Sequence, residues 1–96
     1  MIIEAPYVVG DVVSIKLSSG EEMIARLAAE DNNHVTVTKP LMLMATENGI
    51  GFAPYMFTIS PETKIKLKIN NIICIVKSAK DAGDQYIKQT TGIATA

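Results

Sequence analysis

Leu17 to Val35 reads LSSGEEMIARLAAEDNNHV, and its conformation decides the fold. Glu21 to Glu30, EEMIARLAAE, is built almost wholly of good helix formers, yet Ser18-Ser19-Gly20 before it and Asp31-Asn32-Asn33 after it are turn residues. A helix over 21–30 needs an apolar stripe at i, i+3, i+4. Met23, Arg26 and Leu27 break that stripe, and Ile24, Leu27 and Ala28 supply only a narrow one. A strand sets Met23, Ala25, Leu27 and Ala29 on one face, with a hairpin turn at either end. Helix propensity amounts to a few tenths of a kcal/mol per residue, roughly, which tertiary pairing overrides. The segment is therefore expected to be a strand.

Its neighbours alternate in the same way. In VVSIKL, residues 12–17, Val13, Ile15 and Leu17 share a face. In HVTVTK, residues 34–39, Val35 and Val37 oppose Thr36 and Thr38, and β-branched side chains suit a pleated surface. Pro40 interrupts before LMLMA, which predicts an edge, a bulge or a sharp bend. Asn48-Gly49 supplies the positive φ angles of a tight hairpin. GFAPYMFTIS follows as a strand bent at Pro54, and Pro61 marks the next turn. KIKLKI, residues 64–69, is the cleanest alternation, with Ile65, Leu67 and Ile69 inward and Lys64, Lys66 and Lys68 outward. IICIV, residues 72–76, is apolar on both faces, so a cover on both sides is expected, in part from a second copy. Cys74 within it is expected to be buried as a small hydrophobe. These short bent strands predict an all-β fold, a small five-stranded antiparallel open barrel over residues 1–78. Residues 79–96 are small and polar and are expected to be a flexible tail with one helical turn around Asp84 to Lys88.

Composition narrows the function. The chain has 96 residues, 48% of them hydrophobic and only 5% aromatic, an aliphatic content that favours buried subunit contacts in so small a domain. A net charge of −1 gives no basic footprint for tight duplex binding, although the three lysines at 64–68 form a local patch. The single cysteine excludes an intramolecular disulfide and a multi-cysteine metal site. No signal peptide or membrane-spanning run is read, so a cytoplasmic protein without membrane contact is expected. No catalytic triad, no paired acids at motif spacing and no phosphate-cradling glycine loop is visible, and nothing in the spacing of Asp11, Glu30 and Asp31 demands a metal. Neither an enzyme nor a cofactor is expected.

The chain resembles the Sm/LSm family, which includes the Hfq branch. Ile15, Leu17 and Gly20 match the opening of the family's first motif, Leu27 its next apolar position and Asp31 its aspartate. Asn32, Asn33 and His34 fall in the loop that carries a base-stacking residue and a base-reading Asn in the family. LKINNIICI fits the second motif, with Lys68 at the position of its arginine. Ala25 and Ile69 stand where the family usually has glycine. The resemblance implies a homo-oligomeric ring that binds single-stranded RNA or DNA, with a role in nucleic-acid processing. The contacts it implies are Asp31, Asn32, Asn33, His34, Lys68, Asn70 and Asn71, with Ile72, Ile73, Cys74, Ile75 and Val76 at the subunit interface. The acidic balance leaves a second reading, a small-barrel assembly module such as a phage accessory subunit with no nucleic-acid ligand.

Overall fold

The computed structural model describes residues 7–91, and the opening segment settles as β-structure. β1 (Val12–Leu17) turns at Gly20, φ 108°, into β2 (Glu22–Glu30), and β2 pairs antiparallel with β1 on one edge and β3 (His34–Thr46) on the other. Met23, Ala25 and Leu27 are buried as their alternation requires, and Ile24 is buried on the opposite face. Burying Met23, Ile24 and Leu27 stabilises by about 1.5–3 kcal/mol each, which outweighs the helix propensity of the run. Ala29 departs from the expected face. The β2–β3 register shifts between Leu27 and Ala29, and the extra residue carries Ala29 to the exposed end of the strand.

Pro40 sits at a bulge. Arg26 faces Thr38 and Ile24 faces Leu41, so Lys39 and Pro40 together oppose Ala25, with Lys39 in the left-handed region at φ 50°. β3 bends there. β4 (Gly49–Pro54) pairs with its second half and β5 (Lys64–Lys68) with its first half. Because β2 takes the other edge of β3 along both halves, β4 and β5 occupy one place in the sheet, interrupted by residues 55–63. A single 3-10 turn, Ile69–Asn71, leads into β6 (Ile72–Lys77), which pairs with β1. The order is β4-β3-β2-β1-β6 with β5 beside β3, and among the described residues no pairing closes the sheet. The result is a strongly bent, open small barrel.

The main core, Val13, Ile15, Leu17, Met23, Ala25, Leu27, Val35, Val37 and Leu67, fills its inside. A second cluster of Val12, Ile24 and Tyr86 lies on the other face of β1 and β2, with Leu41, Leu43 and Phe52 packed against it.

Tyr86 comes from α1 (Lys80–Thr91), twelve residues long where the sequence suggests a polar tail with one helical turn. Ala82 and Tyr86, four residues apart, share a face and pack on this second cluster. The Tyr86 hydroxyl shares its hydrogen between the carbonyls of Thr38 at 3.2 Å and Lys39 at 2.8 Å, at the bulge where the β2–β3 register shifts. Residues 92–96 of the expected tail lie outside the described residues. Cys74 also departs from expectation: on the edge strand β6 it is exposed, as are Ile73 and Val76, while Ile72 and Ile75 pack half-buried against the core. The expected cover is thus present on one side of β6 only.

Candidate nucleic-acid interface

The β2–β3 turn is built by Asp31. Its Oδ1 accepts the backbone N–H groups of Asn33 and His34, each at 2.8 Å, while its own N–H donates to the His34 carbonyl at 2.9 Å. Asp is suited to this because its short carboxylate reaches the N–H groups two and three residues on. Those donors, Asn33 first and His34 next, hold the Asp31 carboxyl below its ordinary value, with the nearby charges of His34 and Lys66 acting the same way. His34 Nδ1 stands 3.8 Å from Asp31 Oδ1.

β5 brings Lys68 to the same place. His34 and Lys68 are cross-strand partners, and beyond them the Ile69 N–H donates to the Asn33 carbonyl at 3.0 Å. The 3-10 turn then carries Asn70 to the same side. Asn32, Asn33, His34, Lys68, Ile69 and Asn70 line one open hollow of about 380 Å³. Ile69 needs no glycine there, because its place in a 3-10 turn lies outside the positive-φ region that favours glycine.

Two residues expected at the site stand apart from the hollow. Asp31 does not line it and acts on the turn from behind. Asn71 accepts the Ser18 N–H on its carbonyl at 2.8 Å and lines a second hollow, of about 410 Å³, together with Ser18, Ser19, Tyr55, Lys66 and Lys68. Ser18, Ser19 and Tyr55 carry no motif in the sequence and meet only through the bending of the open barrel. Lys66 belongs to the visible lysine alternation. Lys64, Lys66 and Lys68 are all exposed, as expected for the outer face of β5. Among the described residues neither Lys66 nor Lys68 has a carboxylate within ion-pair distance. Likewise no three His, Cys, Asp or Glu side chains lie close enough to share a metal ion. Asp11 instead faces Lys77 at 3.9 Å, and Glu30 accepts the Tyr7 hydroxyl at 3.1 Å. No helix among the described residues is long and apolar enough to cross a membrane.

No family model matches the chain, and no curated protein matches it by sequence. The architecture is nonetheless shared with a heptameric archaeal Sm protein, described by its crystal structure in relation to the eukaryotic snRNP core. The two superpose with a TM-score of 0.52 over 74% of this chain and 90% of that one, at 12% sequence identity. The class defined by the fold is therefore the Sm-like small barrel.

Proposed function

We propose that the protein is an Sm-like ring subunit that binds single-stranded RNA, or single-stranded DNA, through the β2–β3 turn and the β5–β6 turn. The observation that carries this reading is the register pairing of His34 with Lys68, with Asn32, Asn33 and Asn70 around the same hollow. An imidazole can stack on an unpaired base, carboxamides can pair with base edges, and an ammonium neutralises a phosphate. Asp31 positions the turn, and Asn71 belongs to the reading through the neighbouring hollow. The net charge of −1 makes each site weak, and repetition around a ring raises avidity without new contacts per subunit. For the ring, Ile72 to Val76 supply the contact: β6 is an edge strand with exposed Ile73, Cys74 and Val76, and an assembled ring removes exposed edges. The heptameric assembly of the archaeal neighbour supports the same arrangement.

Fluorescence titration with oligo-U and oligo-A at low salt tests the ligand. Wild type binds at least one of them, and His34→Ala and Lys68→Ala each weaken binding about fivefold or more. No response to either oligonucleotide, or unchanged affinity in both variants, leaves the assembly module without a nucleic-acid ligand as the reading that stands.

A further inference from the structure

Residues 55–63, which interrupt the sheet edge shared by β4 and β5, carry apolar side chains to the surface. Phe57 is 81% exposed and Met56 45%, and with Pro40, Leu41, Pro54 and Pro61 they wall an open, mainly apolar hollow of about 350 Å³. An aromatic ring left so bare beside an apolar hollow marks a contact surface. Its side of the sheet follows from the ladder, because residues directly opposite one another share a face. Leu41 is opposite both Ile24 and Pro54, so the hollow opens on the face that bears α1 and the second cluster. On β6, Val76 is opposite Ser14 and Cys74 opposite Lys16, two positions that alternate with the core residues Val13, Ile15 and Leu17. Exposed Val76 and Cys74 therefore lie on that same outer face, the one that the single chain leaves uncovered.

The sheet has two edges, β6 at one end and β4 with β5 at the other. A head-to-tail ring that continues the antiparallel sheet lays β6 of one subunit along β5 of the next. β5 runs from Lys64, opposite Thr38, to Lys68, opposite His34. An antiparallel β6 on its outer edge thus enters beside Lys68 and leaves beside Lys64, with Val76 and Lys77 heading for residues 55–63. Strand pairing preserves the faces, so Val76 arrives on the side where Phe57 and the hollow lie. The charges match as well: Glu62, the one charged side chain in 55–63, is 78% exposed, and Lys77 is 64% exposed. We propose that residues 55–63 are a docking arm for a second copy of this chain, with Phe57 and Met56 closing over Val76 of the adjoining subunit. The inference rests on the ring proposed above and adds to its strand pairing the side-chain contact that covers the outer face of β6.

Phe57→Ser alters an exposed position outside every strand, so the far-UV β signal of the full chain is expected to stay unchanged. The concentration at half-assembly in sedimentation velocity is expected to rise about tenfold or more, as for an aromatic anchor at an interface. The chain has no Trp, so Phe57→Trp places a single indole on the arm. Its emission is expected to shift to the blue, and its quenching by acrylamide to fall, as the protein concentration is raised through assembly. Undiminished assembly of Phe57→Ser, or an indole in Phe57→Trp that stays open to water in the assembled protein, overturns the arm and leaves the ring standing. A wild-type chain that sediments as a monomer at micromolar concentration removes both.

Discussion

Tyr86 shares its hydroxyl hydrogen between two carbonyls at the β3 bulge, and its side chain has no exposed area. Tyr86→Phe keeps the ring and leaves those carbonyls short of a donor, so it should cost about 1–3 kcal/mol in urea unfolding. Burial pushes the Tyr86 phenol up to about 12 from an ordinary 10.0, because the charged form is poorly solvated there, with Arg26 opposing the shift. The folded state therefore favours the neutral phenol. That contribution is complete below pH 10 and is lost as the pH rises to 12. The loss is about 1.4 kcal/mol per pH unit, roughly 2–3 kcal/mol across the window. Subtracting the Tyr86→Phe profile from that of wild type isolates this slope from the lysines, which titrate in the same range. A difference that stays flat from pH 10 to 12 would contradict the burial.

At the scale of elements, the β1–β2 turn depends on Gly20 at φ 108°. Gly20→Ala forces a side chain into a conformation that costs an L-residue about 1–2 kcal/mol, and an unfolding free energy lowered by that amount is expected in urea titration. β1, β2, the first half of β3 and β5 are all legible in the sequence, because alternation reports which face is buried and turn residues report where each strand ends. The bulge at Ala28 is not, since nothing in LAAE marks which alanine is the extra one. α1 is hidden for a different reason. KDAGDQYIKQTT contains glycine, two threonines and two aspartates, and its whole apolar face is Ala82 and Tyr86 with a little of Ile87. What makes it a helix is its docking on Val12 and Ile24, a contact more than fifty residues away in the chain. Ending the chain at Ser78 uncovers that face and should destabilise the barrel by about 3 kcal/mol or more, comparable to deleting a buried aromatic side chain. An unchanged unfolding midpoint in the truncated chain would mean that the helix contributes nothing to the fold.

For the whole molecule, the apolar run at 72–76 was readable as a strand with a need for cover, and the fold makes it an edge with one face on the core. The proposed ring predicts that Val76→Lys, on an exposed position, shifts the sedimentation coefficient from an assembly to a single chain without lowering the far-UV β signal. A wild-type chain that sediments as a monomer at micromolar concentration sinks the ring. The candidate site was partly legible too. Asn32, Asn33, His34, Lys68 and Asn70 are candidates only through the resemblance to the Sm/LSm motifs, and they gather because β3 and β5 place His34 opposite Lys68. Tyr55, Ser18 and Ser19 were not readable, because their shared hollow joins the β1–β2 turn to the segment after β4, and no local pattern links the two.

LSSGEEMIARLAAEDNNHV illustrates the division between the two levels. Turn chemistry and alternation are local, so the sequence by itself determined that this stretch is a strand between two turns, that Asp31 begins the second turn, and that lysines line the outside of β5. The closure of distant segments is not local. Only the tertiary structure decided that Ile24 has a partner on the opposite face from Met23, that a sparse polar tail is held as a helix by Tyr86, and that Cys74 lies exposed on an edge. It also decided that Lys68 stands between two hollows. Each of these depends on the energy of bringing together surfaces from remote parts of the chain, and that energy has no signature in any single window of sequence.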